Sequence, residues 1–170
     1  MFTESQSRTG FFLGVPLSWR HFDRAHVGCA SRLIRLRHVL DAKGNMKVLL
    51  SIKPEFAEKI LSGEKKYEFR KILPKAQNIK IIVIYASRPT GKVVGEFEIA
   101  QIISDTPKKI WSQTKESAGI SRRYFDEYFS GKALAHAIQI KSVKRYARPR
   151  ALSTILPNGI APQSFCYIKK

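Results

Sequence analysis

A chain of 170 residues with 44% hydrophobic and 26% charged side chains is long enough for one domain with a sizeable core, which excludes a wholly disordered polymer. Lys and Arg number 31 against 13 Asp and Glu, a formal net charge of +18 that points to a polyanionic partner, nucleic acid before an anionic membrane. No apolar run reaches the length of a membrane span, and the two cysteines, Cys29 and Cys166, form no CxxC pair, which excludes a paired-cysteine zinc or redox motif.

Residues 1–45 differ from the rest. Their apolar run Phe11–Leu17 is cut by Gly14 and Pro16, and it lacks both the charged start and the small-residue cleavage site of a signal peptide. Arg8, Arg20 and Arg24 suit a transit peptide, but Glu4 and Asp23 count against one. His21, His26 and His38 have no metal-ligand spacing. Met46 stands directly before a clean strand. The expected organisation is therefore a poorly structured extension or mis-assigned start over 1–45, and a folded domain over 46–170. The domain itself is basic, with 24 Lys and Arg against 10 Asp and Glu, a balance of +14.

Lys47–Ile52 reads as a buried strand. Pro54 suits the first turn of a helix that carries Phe56, Ile60 and Leu61 on one side, and Gly63 suits a left-handed cap at its end. Alternation takes over from Lys65 to Lys71, with Tyr67 and Phe69 on one face and Lys66, Glu68 and Arg70 on the other. Ile79–Ala86 is apolar on both faces and so central; Ser87–Gly91 is a turn; Lys92–Ile103 is a strand in which Gly95 marks a bulge or a close approach. Thr106-Pro107 opens a helix, and Ser121 caps another whose aromatic stripe is Tyr124, Phe125, Tyr128 and Phe129. Such a stripe is either core or a surface for a protein partner. Leu134–Val143 is a strand in which His136 is packed, followed by a basic run around Tyr146 and a final strand from Phe165. Few strand pairs are separated by a crossover-length helix. The class is thus α+β, a small curled sheet or mixed β-barrel with short helices on its rim.

The densest chemistry lies at Gly63, Lys65, Glu68 and Arg70. Glu68 and Arg70 are two apart on a strand and share a face, with Lys65 at its entrance. A carboxylate and a guanidinium so placed can hold a base edge or a phosphate, or can pair with each other on a wet surface. Tyr85, Ser87 and Arg88 end the central strand, where a tyrosine can stack a base and an arginine can take a phosphate, or can simply be core and solvated turn. Gln163 and Ser164 offer an amide and a hydroxyl, and Lys144, Arg145 and Arg148 can track a phosphate backbone.

The pattern Gly63-x-Lys65-x-x-Glu68-x-Arg70 resembles the GxKxxExR signature of the ASCH domain family. The approach Ile52–Ser62 and the terminal Pro162-Gln163-Ser164-Phe165 are similar to that family as well. The likeness covers most of 46–170 and leaves 1–45 unmatched. It implies a PUA-like barrel with a cleft beside the first helix, and binding of RNA or a modified nucleotide in RNA metabolism or in the regulation of transcription or translation. The alternative it implies is hydrolysis in the same cleft, of N4-acetylcytidine or of RNA. In the amidohydrolase type the motif lysine, a threonine at the position of Glu68 and a later glutamate take part; Lys65 and Glu116 are the counterparts here, and Glu68 departs from the threonine. No cofactor, metal or membrane partner is expected, and a cytoplasmic monomer is the assumption.

Overall fold

The computed structural model describes residues 46–76 and 78–168. The reading of residues 1–45 as an extension lies outside them. Six strands, β1 (Met46–Ile52), β2 (Tyr67–Arg70), β3 (Ile79–Ala86), β4 (Lys92–Asp105), β5 (Ala135–Arg150) and β6 (Phe165–Tyr167), form one sheet in the order β2-β5-β4-β3-β1-β6. Three helices, α1 (Pro54–Ser62), α2 (Pro107–Thr114) and α3 (Arg122–Tyr128), flank it. β1 and β3 run parallel, because α1 and β2 carry the chain between them, and the other neighbours are antiparallel. This is the α+β curled sheet that the sequence implies.

Local chemistry sets the ends of α1. Pro54 occupies its first turn, and Gly63 ends it at φ 85°, a left-handed conformation that costs a glycine little. Ser121 caps α3 by accepting from the Tyr124 N–H. β1 and β3 are apolar on both faces, and each face has its own core. Val48, Leu50, Ile52, Ile82 and Ile84 pack against Ala57 and Ile60 of α1. Leu49, Val83, Tyr85 and Val93 pack on the opposite side against Leu152 and Leu156. A third core joins α2 and α3 to the sheet, with Phe125 at its hub, its ring centroid 4.7–5.1 Å from those of Phe129, Trp111 and Phe69. Phe125 and Phe129 are buried, so that half of the α3 aromatic stripe is core, whereas Tyr124 and Tyr128 are only half-buried.

Two expectations change. The strand expected from Lys65 to Lys71 shortens to Tyr67–Arg70, because the Lys65 N–H bonds back to Lys59 O and the Lys66 N–H goes to Ser117 O. The basic run after Val143 is not a separate segment, since β5 continues through it to Arg150. Gly95 faces Arg145 and Val93 faces Arg150, so Tyr146–Pro149 bulges out from the ladder. Pro149 has no N–H to lose by leaving it.

Gly95 permits this register. A Cβ there would lie 2.6 Å from Lys144 O and 2.8 Å from Leu61 Cδ2. Gly95→Ala is expected to lower stability by about 2 kcal/mol through overpacking, measured by thermal unfolding. A variant as stable as the parent would show that β4 and β5 do not meet in this register.

β2 and β6 are the two ends of the strand order, yet Arg70 of β2 donates from Nη2 to Ser51 O of β1 (2.9 Å) and from Nη1 to Ser164 O beside β6 (3.5 Å). The sheet therefore curls until its first edge approaches its last. One guanidinium spans the gap where a barrel would have a backbone ladder.

Candidate functional site

The left-handed turn at Gly63 sends Lys65 inward. Its amine donates to Ala118 O at 2.8 Å, lies 4.5 Å from the Phe69 ring centroid and 5.6 Å from that of Phe56, and is 4.0 Å from the Glu68 carboxylate. Gly119 closes on the lysine stem so tightly that an added Cβ would lie 2.5 Å from Lys65 Cβ. Glu68 forms an ion pair with Arg70 Nη2 at 3.0 Å. Lys65 is 2% exposed, Glu68 6% and Arg70 7%. The reading of these charges as a wet surface pair is corrected: because the sheet curls, the inner face of its edge strand is enclosed.

Burial pushes the Lys65 amine down to about 8; Glu68 opposes the shift, while Arg70 and Lys59 add to it. The Tyr128 phenol is pushed up by its own burial, with Arg70 lowering it and Glu68 raising it. Lys53 lies 5.0 Å over the Tyr124 ring, and Phe56 meets Tyr124 edge to face. The Arg70 Nε is buried without a hydrogen-bond partner among the described residues. Two cations and one carboxylate in this enclosure carry a local charge of +1. An amine that titrates near 8 can hold or release a proton close to neutral pH.

The other expected residues divide. Ser164 joins the set through its carbonyl, and Gln163 is exposed beside it. The Ser87 N–H bonds to Ile52 O, which places Ser87 and the exposed Arg88 at the same rim of the sheet, where β1 and β3 end. Arg148 lies in the β5 bulge near that rim, between the paired Arg145 and Arg150. Lys144 is exposed opposite Glu96, and Arg145 is bound at both terminal nitrogens by Glu58. Tyr85 is corrected as a base-stacking residue. Only 7% exposed, its ring is packed in the core beside Leu49, Val83 and Val93 and has no free face. Glu116 is also corrected: its side chain is 88% exposed and paired with Lys115. The backbone of its neighbours Ser117 and Ala118 touches the Lys65 segment instead.

Sequence reasoning missed Lys53, Phe56, Tyr124 and Tyr128. The signal for the tyrosines lies in α3, where Tyr124/Tyr128 and Phe125/Phe129 are two separate i, i+4 pairs. The phenylalanines face the core, and the tyrosines face Phe56 and Lys71. Among the described residues, no group of three or more His, Cys, Asp or Glu is placed to hold a metal, and no helix is long and apolar enough to cross a membrane.

Comparison with known proteins matches this geometry. The ASCH domain model covers residues 50–144. The ASCH domain-containing ribonuclease of Zymomonas mobilis is 31% identical over 132 residues, 76% of this chain and 89% of its own. The crystal structure of ASCH from Zymomonas mobilis superposes with a TM-score of 0.67 at 31% identity, covering 73% of this chain and 88% of that one. Two Ureaplasma parvum proteins, ATP synthase subunit alpha and large ribosomal subunit protein uL22, are each 32% identical over 72% of this chain. This chain spans only 15% and 39% of their respective lengths. With Gly63, Lys65, Glu68 and Arg70 set on a sheet of this topology, and with that match over residues 50–144, the chain belongs to the ASCH domain family.

Proposed function

We propose that this chain is an RNA-binding domain that holds a single strand along its basic rim, above the Lys65–Glu68–Arg70 clasp. One observation carries the reading. Nine of the ten acidic side chains in 46–170 already face a cation. Lys53, Arg88, Lys92, Arg148 and Arg150 are exposed and, among the described residues, make no ion pair. Strand pairing gathers most of them. Ile52 lies beside Ala86, Ala86 beside Lys92, and Val93 beside Arg150. A row of unpaired cations at one rim attracts a polyanion and releases counterions when it binds. The Zymomonas relative named a ribonuclease and the Ureaplasma relative named a ribosomal protein support RNA as that polyanion.

Cleavage of the bound strand is the second reading, favoured by the Lys65 amine titrating near 8 and by the name of the Zymomonas relative. Amide hydrolysis lacks such support. Glu68 stands in place of a hydroxyl and is engaged by Arg70, and Glu116 points to solvent.

Fluorescence anisotropy with a single-stranded RNA over a salt series tests the binding reading. Log affinity should fall with log salt by roughly 0.7 per phosphate contacted. Arg148→Ala with Arg150→Ala should flatten that slope by about 1.4. Affinity indifferent to salt, or unchanged in the double variant, overturns it.

A further inference from the structure

α1 has two flanks. Phe56 and Ile60 turn toward the clasp and the core, whereas Pro54, Ala57, Glu58 and Leu61 line a groove of about 300 Å³. The other wall is the bulge of β5, with Tyr146, Ala147 and Pro149, and the floor includes Ala86 and Val94. None of Gly63, Lys65, Glu68 or Arg70 lines it. The space is at the small end of ligand pockets, roughly 300–1,000 Å³, which is room for one ring system and not for a peptide or a helix.

Its chemistry is apolar below and polar at the lip. Two proline rings and five small or branched aliphatic side chains form the apolar lining. Glu58 and Arg145 meet at the lip in a two-point ion pair that engages Arg145 Nη1 and Nη2 and one lone pair on each carboxylate oxygen. The remaining Arg145 N–H groups and carboxylate lone pairs are open to a ligand. Arg145 holds the Glu58 carboxyl below the usual range, so near neutral pH it only accepts. Thr90 lines the groove at the end next to the exposed Arg88, and Arg148 lies between Ala147 and Pro149. Arg150 stacks on the Tyr146 ring, 4.6 Å from its centroid. A flat apolar ring with phosphates to either side is complementary to this set.

We propose that the groove takes one unstacked base of a single-stranded RNA, with its edge at Glu58 and Arg145 and its flanking phosphates on Arg88 and Arg148. Guanine fits best, because its edges offer adjacent N–H donors to a carboxylate and paired acceptors to a guanidinium. The inference rests on the RNA-binding reading above and adds a base pocket to it, apart from the clasp.

The test uses the full 170-residue chain and three labelled RNAs in anisotropy: a uridine octamer with one central guanine, the same octamer with an abasic centre, and a short blunt duplex. Ala147→Trp and Thr90→Trp place an indole in the groove from exposed positions, and thermal unfolding checks that both variants fold. The parent should bind the guanine octamer about 10-fold more tightly than the abasic one. Both variants should lose that difference while keeping the parent's salt slope and its affinity for the duplex. Equal binding of the guanine and abasic octamers by the parent, with a normal salt slope, overturns the pocket and leaves RNA binding standing. The pocket also falls if the tryptophan variants keep the discrimination. Absence of salt-dependent binding to any of the three retires both readings.

Discussion

Glu68→Gln should destabilise the domain by about 3–5 kcal/mol, the usual cost of removing one partner from a buried ionic set. Only Glu68 among the described carboxylates lies within 4.0 Å of Lys65 or Arg70, and all three side chains are at least nine-tenths enclosed. Without its charge, two cations face each other across an amide. The guanidinium keeps Ser51 O and Ser164 O, so the link between the sheet edges weakens without vanishing. The loss should appear as a fall in melting temperature of roughly 10–20 °C. Adding Lys65→Met should recover part of it, since one cation then remains with three acceptors. Effects of Glu68→Gln and Lys65→Met that simply add would show that Lys65 is not coupled to Glu68. A Glu68→Gln protein that melts with the parent would place the carboxylate in water.

Where the determinants are local, the sequence was readable. Pro54 and Gly63 bound α1 through the special backbone angles of those two residue types, and Ser121 caps α3 with its own hydroxyl. The motif residues do come together around Lys65. The burial of that set could not be read, because it depends on a nonlocal event: the sheet must curl before Arg70 meets Ser51 and Ser164. Tyr85 failed for a related reason. With β3 apolar on both faces, alternation gives two phases and does not say which one packs on α1; Ile82 and Ile84 do, and Tyr85 faces the other core. The continuation of β5 was hidden because every residue from Lys141 to Arg145 is exposed, and a strand wet on both faces shows no hydrophobic period. Glu116 is a matter of phase within a single turn: its neighbours' carbonyls reach the lysine segment, and its own side chain does not.

Lys65→Met should be as stable as the parent or more so at pH 7, and should remove a pH dependence that the parent shows. The unfolded amine titrates at its ordinary 10.5 and the folded one at about 8. Between those values the unfolded chain binds the extra proton, so the parent's stability rises with pH from about 8 toward 10, and the penalty for a buried charged lysine is fully present below 8. The rise amounts to roughly 3 kcal/mol if no other group titrates. Tyr128 and Tyr146, both pushed up by burial, act in the opposite direction above pH 10, so urea unfolding is best compared at pH 7, 8, 9 and 9.8. Glu68, Arg70 and Lys59 are the charged groups acting on the amine. A methionine of similar length can pack between Phe56 and Phe69, leaving Ala118 O without its donor at a cost of about 1 kcal/mol. A parent flat from pH 7 to 9.8, or a variant that keeps the parent's slope, shows that Lys65 is solvated. The same variant separates the two functional readings. Its rim cations are intact, so it should bind RNA with the parent's salt slope, and if the Lys65 amine handles a proton in strand cleavage, cleavage alone should disappear.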